Sequence, residues 1–294
     1  MTEFLFTIVF RLLALLPLRA LHGLGALFGR LIYLASPRYA ARTRDNLRQA
    51  NLTTDQNHYQ KVLSATIAET GKSIMELAWI WWRPYPEVIR KVLECIGLEH
   101  IIAAQKNGKG IIFLTPHLGC FEISALYAAQ RVPITVLYRP PKLRWLEAMM
   151  RSGRERGQAR LAKADISGVR LLYKALKRGE AIGLLPDQVP SQGEGEWVNF
   201  FARPAYTMTL IGRLAQTSGA TVLLASAERQ ALGRGYVIRV APLLLDFSQP
   251  VAQQVNNALE QVIRTCPSQY LWSYNRYKVP RGVQSPEPFE GQAC

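Results

Sequence analysis

Residues Gly110-Ile-Ile-Phe-Leu-Thr-Pro-His117-Leu-Gly-Cys-Phe-Glu122 contain an apolar run, a turn and the start of a second apolar run that extends over 121–129. The first run has the length of a buried β-strand, and the second is predicted to be a helix. A strand that passes through a turn into a helix is the repeating unit of α/β proteins. The unit places His117 in the turn and Glu122 in the first turns of the helix.

The spacing of His117 and Glu122 predicts a catalytic base and its orienting acid. Inside one helix, five residues would separate the two side chains by roughly 140°, so they can meet only if His117 lies outside the helix. One imidazole nitrogen can then face a substrate hydroxyl while the other donates to Glu122. The alternative is a turn histidine and a carboxylate that the helix dipole favours.

Further short apolar runs alternate with helical segments along the chain. The predicted strands cover 111–114, 134–138, 181–185, 221–226 and 236–240, and the helices between them lie at about 120–130, 143–156, 168–178 and 206–218. Helices are also predicted over 38–50, 56–82 and 86–96. This alternation predicts an α/β fold with a mostly parallel central sheet flanked by helices.

The amino-terminal residues 4–35 are mostly apolar but are interrupted by Arg11, Arg19 and Arg30. As one helix, the segment places these arginines within a third of its circumference, which is typical of a helix lying in a membrane surface. A core-docked amphipathic helix is the alternative. We therefore divide the chain into a membrane-associated helix at 1–36, an α/β domain at 37–279 and a loosely ordered tail at 280–294.

The formal charge of +15 indicates a polyanionic partner, which is a nucleic acid, an anionic membrane surface or an acidic carrier protein. The segment 131–178 contains thirteen Lys or Arg and three acidic residues, a surplus of ten. The four cysteines have no paired spacing, so neither a structural disulfide nor a zinc site is expected, and no metal or cofactor is predicted. Cys120 is either a nucleophile or a small buried side chain.

Other polar residues follow the predicted strands. Arg139 and Asp187 come directly after two of them, Gln188 is next to Asp187, and the carboxyl ends of parallel strands gather at one edge. Arg154 belongs to a basic helix, where it either binds substrate or is only solvated. Arg203 lies in an aromatic and basic stretch that begins with Asn199-Phe-Phe-Ala.

Taken together, these motifs resemble the lipid A biosynthesis (lauroyl/myristoyl) acyltransferases of the lysophospholipid acyltransferase superfamily. The resemblance rests on Pro116-His-Leu-Gly-Cys-Phe-Glu122, Tyr138-Arg-Pro140, Arg154, Pro186-Asp-Gln188 and Phe200-Phe-Ala-Arg-Pro-Ala-Tyr-Thr207. It departs from the family where Cys120 and Phe121 replace the usual Asn and Trp, and where Ala202 replaces a glycine.

The resemblance implies transfer of a fatty acyl group from acyl carrier protein or coenzyme A to a hydroxyl of a lipid A precursor, a phosphorylated glycolipid. It also implies inner membrane lipids as partners and a location at the cytoplasmic face of the bacterial inner membrane. By the same resemblance His117 is the base, Glu122 is its partner, and Arg139 and Arg154 bind phosphate or stabilise the transition state. Asp187, Gln188 and Arg203 are expected to contact or position substrate.

Three other functions compete with this one. A nucleic-acid-binding protein would be similarly basic, but the sequence has no recognisable nucleic-acid-binding motif, so no nucleic acid partner is expected. An esterase with a serine or cysteine nucleophile is the second alternative, and the absence of a G-x-S-x-G elbow argues against it. Acylation of a lysophospholipid or of another glycolipid stays open.

Overall fold

A seven-stranded sheet forms the centre of the protein in a computed structural model that describes residues 2–286, with side chains from Leu5 onward. The strands are β1 (Val92–Ile96), β2 (Ile111–Leu114), β3 (Ile134–Tyr138), β4 (Ala159–Lys163), β5 (Ala181–Leu184), β6 (Gly195–Phe200), β7 (Arg203–Met208), β8 (Thr221–Arg229) and β9 (Tyr236–Pro242). The α-helices are α1 (Thr2–Leu15), α2 (Leu18–Ala35), α3 (Pro37–Gln49), α4 (Gln56–Trp82), α5 (Tyr85–Ile89), α6 (Leu98–Asn107), α7 (Phe121–Ala128), α8 (Arg144–Arg154), α9 (Ile166–Lys177), α10 (Leu210–Ser218) and α11 (Val251–Thr265).

The sheet has the strand order β1-β9-β8-β2-β5-β3-β4, and every neighbouring pair is parallel except β8 with β9. The predicted mostly parallel sheet flanked by helices is therefore confirmed. Strand β2 lies between β5 and β8, and all four of its residues are buried because helices cover both faces. Strands β6 and β7 form a separate antiparallel hairpin.

The two faces of the sheet belong to two cores. Phe113 of β2 and Val136 of β3 face the core that contains residues of α7 and α8. Ile112 and Leu114 face the opposite core, which contains residues of α9, α10 and α11. Because side chains alternate along a strand, β2 contributes residues to both cores.

The helix predicted over 86–96 is wrong, because the chain forms α5 and then the edge strand β1 there. Leu93 and Glu94 are exposed, so β1 has little of the burial pattern that identifies a strand, and its structure depends on pairing with β9. The edge strand β4 and the β6–β7 hairpin were not predicted either. Because β7 occupies the first residues of the helix predicted over 206–218, that helix begins only at Leu210.

The amino-terminal segment forms two helices that Pro17 separates. The single continuous helix assumed for Arg11, Arg19 and Arg30 is therefore wrong, although all three side chains are exposed. No helix among residues 2–286 has the length and apolar character needed to cross a bilayer.

Helix α2 crosses α4 at very short range. A Cβ atom on Gly29 would come within 2.1 Å of the Ile67 carbonyl oxygen, and one on Gly71 within 1.9 Å of the Gly25 carbonyl oxygen. Only glycine allows this approach. The inner face of α2 is thus buried against the protein, while its outer face stays exposed.

Candidate active site

His117 and Asp187 meet at the edge of the sheet where the adjacent parallel strands β2 and β5 end. The Thr115 amide continues the pairing by donating to the Leu184 carbonyl at 3.0 Å. Beyond this point the His117 amide donates to Asp187 Oδ2 at 2.8 Å, and His117 Nδ1 lies 2.7 Å from Asp187 Oδ1. Both carboxylate oxygens of Asp187 therefore hold the same histidine, one through its backbone and one through its ring.

This contact fixes the proton on the imidazole ring. An ionised carboxylate only accepts hydrogen bonds, so Nδ1 carries the hydrogen and Nε2 keeps its lone pair. The Gln188 amide nitrogen lies 3.1 Å from Nε2 and can donate to it. Burial alone would raise the pKa of Asp187, but the charge and hydrogen bonds of His117 outweigh burial and hold this pKa below its ordinary value.

Glu122 does not pair with His117, in contrast to the predicted dyad. Its Oε2 accepts from Arg154 Nε at 2.8 Å and from Trp81 Nε1 at 3.2 Å, and its Oε1 accepts from Arg154 Nη2. Burial lowers the pKa of Arg154, but the Glu122 carboxylate more than compensates and raises it above its ordinary value. The position expected for Glu122 beside the imidazole is occupied by Asp187, because the first turn of α7 directs Glu122 towards α4 and α8.

The loop that carries His117 is held from behind by the carboxyl-terminal part of the chain. The Leu271 amide donates to the His117 carbonyl at 3.1 Å, and the Gly119 amide donates to the Gln269 carbonyl at 3.0 Å. Burial raises the pKa of Tyr270, and the charge and hydrogen bond of the neighbouring Asp187 raise it further. Sequence reasoning missed this support; the aromatic stretch 270–277 is the signal from which it could have been found.

A buried ion pair supports the other side of the same loop. Arg229 of β8 pairs with Glu76 of α4, with Nε 2.9 Å from Oε2, and also donates to the Gly119 carbonyl at 3.1 Å. His22 of α2 lies 3.3 Å from Glu76 through its Nε2 atom. Helices α2 and α4 are in this way linked through polar contacts to the loop that carries His117.

A cavity of about 630 Å³ opens beside His117, and its walls differ in chemistry. On the side of α7 and α8 it is lined by an apolar chamber formed by Phe113, Val136, Ala225, Ile238 and Val240. On the side of α9 and α10 it is lined by a basic wall formed by Arg170, Tyr173 and Arg213. His117 itself faces the cavity with a side chain that is 12% exposed.

Most of the predicted site residues share this cavity. His117, Glu122, Arg139, Arg154 and Gln188 all line it, and Asp187 lies directly behind His117. Arg139 is exposed at the cavity and has no ion pair within residues 5–286. Arg203 lies away from the lining, with its guanidinium 4.5 Å from the centre of the Tyr277 ring.

Cys120 is excluded from the cavity although it lies between His117 and Glu122 in sequence. Its side chain is 2% exposed, and burial raises its pKa well above the ordinary thiol value. It packs in the core with Ile123. Among residues 5–286 no cluster of His, Cys, Asp and Glu has the arrangement of a metal site.

Comparison with known proteins identifies related chains over nearly the whole length. The family model described as "Bacterial lipid A biosynthesis acyltransferase" matches residues 1–279. The chain is 29% identical over 280 residues to the lipid A biosynthesis lauroyltransferase of Escherichia coli, covering 92% of this chain and 89% of that protein. It is 26% identical over 276 residues to the lipid A biosynthesis palmitoleoyltransferase of the same organism, with the same two coverages. A lipid A biosynthesis acyltransferase of Haemophilus influenzae is 26% identical over 267 residues, covering 89% of this chain and 82% of that protein.

Proposed function

Because this chain belongs to the family of bacterial lipid A biosynthesis acyltransferases and is thus an enzyme, we propose that it moves a fatty acyl group from a thioester to a hydroxyl of a lipid A precursor. The donor is acyl carrier protein or coenzyme A. The observation that carries the proposal is the His117–Asp187 pair, which leaves Nε2 of the ring at a cavity large enough for an acyl chain.

In the first step His117 acts as a general base. The acceptor hydroxyl displaces the Gln188 amide from Nε2 and gives its proton to that nitrogen as the oxygen attacks the thioester carbonyl. The Asp187 carboxylate stabilises the imidazolium that forms. The displaced Gln188 amide is then free to donate to the oxyanion of the tetrahedral intermediate.

In the second step the intermediate collapses. The carbon–sulfur bond breaks, the carbonyl reforms as the new ester, and the Nε2 proton passes to the departing sulfur, which leaves as a thiol. Direct transfer of this kind forms no acyl-enzyme. The burial of Cys120 and its raised thiol pKa support direct transfer, since a nucleophilic cysteine has to be accessible and readily ionised.

The apolar chamber is the place for the acyl chain. Its side chains come from β2, β3, β8 and β9, so it extends from the reacting centre along the sheet face that α7 and α8 cover. A hydrocarbon chain gains about 0.8 kcal/mol for each buried methylene group, which favours this chamber over the charged opposite wall.

The Glu122–Arg154 pair positions one wall of the cavity. Arg154 is held in two hydrogen bonds by Glu122 and lies above the Trp81 ring, with its central carbon 5.9 Å from the ring centre. A guanidinium that is fixed in this way can present its charge to a thioester or phosphate without losing side-chain entropy on binding. Glu122 then acts through Arg154 rather than through His117.

We further propose that α1 and α2 attach the enzyme to the cytoplasmic face of the bacterial inner membrane. Each helix exposes one stripe of large apolar side chains: Leu5, Ile8, Val9, Leu12 and Leu15 on α1, and Leu24, Leu27, Leu31 and Leu34 on α2. Phe6 of α1 packs on Trp145 of α8, with ring centres 4.9 Å apart. This contact places α1 beside α8, the helix that carries Arg154.

Vesicle sedimentation tests the attachment. Exchanging Leu27 and Leu31 for serine should release most of the protein from anionic vesicles, because each buried leucine contributes about 1.5–3 kcal/mol. Leu244, which is exposed outside these helices, provides the control when it is changed to serine. Replacing Arg11, Arg19 and Arg30 with glutamate should also release the protein. Unchanged sedimentation of both sets of variants would contradict the proposed attachment.

Acyl transfer itself is tested with purified protein, radiolabelled acyl carrier protein thioester and a phosphorylated lipid A precursor. His117→Ala should reduce turnover by at least a thousandfold, whereas His100→Ala, which removes an exposed histidine from α6, should leave turnover unchanged. Wild-type protein that acylates a lysophospholipid but no lipid A precursor would refute the proposed acceptor. Mass spectrometry of lipid A from a strain that lacks the protein identifies the missing chain and its position.

A further inference from the structure

Arg170 of α9 and Arg213 of α10 line the cavity but have no part in the mechanism above. Both side chains are exposed, and the two helices contact each other. Neither guanidinium forms an ion pair or hydrogen bond with any residue in 5–286. We infer that Arg170 and Arg213 form a binding site for a phosphate ester, an inference that rests on the proposed acyl transfer.

Three arginines of α8 and of the turn after it, by contrast, have partners within the protein. Arg151 pairs with Glu155 at 2.7 Å, Arg154 pairs with Glu122, and Arg156 donates to backbone carbonyl groups that include the one of Arg83 at 2.8 Å. The basic segment therefore uses much of its charge internally. A guanidinium that faces a cavity without a counter-ion has its hydrogen-bond donors available for a ligand.

The carboxylates on the same wall form no ion pair with the two arginines. Asp165 caps α9 by accepting from the Gly168 amide at 2.9 Å and from the Ser167 hydroxyl at 2.6 Å. Glu194 accepts from the Ser191 amide at 3.1 Å. The two guanidinium groups therefore keep their hydrogen-bond donors free for an anionic ligand.

The chemistry of the wall fits a phosphate ester. The planar guanidinium group donates two parallel hydrogen bonds that match the oxygens of a phosphate, and two such groups can hold one phosphate from two directions. Tyr173 lies one turn after Arg170 and also lines the cavity, so its hydroxyl adds a donor that carries no charge.

The position of the site indicates which part of the substrates it contacts. Helices α9 and α10 belong to the core that contains Ile112 and Leu114, whereas the apolar chamber lies on the face that contains Phe113. His117 lies at the edge of the sheet between them. When the acyl chain occupies the chamber, the basic wall is still available to contact the rest of the donor or the acceptor. The phosphate is therefore the phosphodiester of a pantetheine arm or a phosphate of the glycolipid.

The test compares the double variant Arg170→Ala/Arg213→Ala with Lys174→Ala/Lys177→Ala. The control removes the same number of charges from exposed positions of α9 outside the cavity lining. Both proteins are assayed with acyl-4′-phosphopantetheine and acyl-pantetheine as donors, and with acceptors that carry or lack phosphate. We expect KM for one phosphorylated substrate to rise about tenfold for each arginine removed, with kcat changed less than threefold.

The source of the phosphate follows from the substrate whose KM responds. A rise only with acyl-4′-phosphopantetheine identifies the donor, and a rise only with the phosphorylated acceptor identifies the glycolipid. In either case the phosphate-free form of that substrate should be used equally well by the variant and the control. KM values within twofold of the control for every substrate, or equal losses with and without phosphate, would overturn the inferred site.

Binding measurements separate this inference from the proposed function. Calorimetric titration of the full-length protein with 4′-phosphopantetheine and with glucosamine 1-phosphate needs no turnover. Binding that is lost in the arginine variant but kept in the lysine control supports the site even if the wild-type protein acylates no lipid A precursor. Acyl transfer by wild-type protein, together with binding of both probes that is unchanged in the arginine variant, refutes the site and leaves the proposed function intact.

Discussion

Exchange of Asp187 for asparagine tests whether Asp187 or Glu122 is the carboxylate that orients His117. The side chain of Asp187 is 2% exposed and keeps nearly the same shape in the variant, so its oxygen can still accept from the His117 amide. The amide NH2 group of asparagine would then face Nδ1. A donor in this position favours hydrogen on Nε2 instead, and the nitrogen facing the cavity can no longer accept a proton.

The expected size of the effect follows from the distance between ring and carboxylate. Two unit charges 2.7 Å apart interact with about 6 kcal/mol at an effective dielectric constant of about 20. This energy is an upper limit for the stabilisation of the imidazolium, and it corresponds to a rate factor of about 10⁴. Since water and the Gln188 amide can replace part of the interaction, we expect kcat/KM to fall by a factor between about 10² and 10⁴.

Glu122→Gln provides the matched comparison in the same acyl-transfer assay, because it also removes one buried carboxylate from the cavity region. It weakens the contact with Arg154 but leaves the His117–Asp187 pair in place, so its loss should be at least tenfold smaller than that of Asp187→Asn. Circular dichroism and thermal unfolding check that both variants fold. If Asp187→Asn keeps more than a tenth of wild-type kcat/KM while Glu122→Gln loses a thousandfold, Glu122 is the partner of His117 and the reasoning is refuted.

Three further expectations concern other parts of the chain. Cys120→Ala should keep at least a tenth of wild-type turnover, and a covalent acyl adduct trapped on Cys120 of the wild-type protein would contradict direct transfer. Ala202→Gly should raise the free energy of unfolding in urea by about 0.5–1 kcal/mol, because Ala202 has a φ of 57° that glycine adopts without strain; an unchanged or lowered value would argue against strain in this turn. Burial raises the pKa of Glu76, but Arg229 outweighs burial and lowers it from 4.5 to about 2. The ionised Glu76 should therefore contribute on the order of 3 kcal/mol above pH 4.5 and lose it as the pH falls towards 2, and urea titrations should show a weaker acid dependence in Glu76→Gln.

The centre of the fold could be predicted because its buried strands have continuous apolar sequences. Strand β2 is apolar at every position, and the turn after it contains Pro116, so the strand-to-helix unit is apparent without a structure. Parallel pairing of β2 and β5 then brings the residues after these strands to one edge. The proximity of His117, Asp187 and Gln188 follows from that topology.

The edge strands could not be predicted in the same way. Strand β1 exposes Leu93, Glu94 and Ile96, and β4 exposes Arg160 and Lys163, so neither has the continuous apolar run of a central strand. The conformation of β1 depends on hydrogen bonds to β9, and that of β4 depends on hydrogen bonds to β3. These bonds form only when the sheet assembles. Local pattern carries little of this information.

The structure places Asp187 rather than Glu122 beside the His117 ring, because nearness in sequence does not ensure nearness in space. Glu122 is five residues away, yet the first turn of α7 directs it towards Trp81 and Arg154, whereas Asp187 is seventy residues away and lies 2.7 Å from the ring. A spacing rule tests only whether two side chains can share one side of a local element. It cannot compare a local carboxylate with one that a neighbouring strand supplies.

The same limitation applies to charge. A surplus of ten positive residues over 131–178 predicts attraction to anions, but it does not indicate which of these side chains form ion pairs within the protein. Arg154 is expected to bind phosphate or stabilise the transition state, and the structure shows that two of its donors are already held by Glu122. Arg139, Arg170 and Arg213 keep their charge unpaired around the cavity. The arginines whose donors are all free for a ligand can be found only when the internal pairs are known.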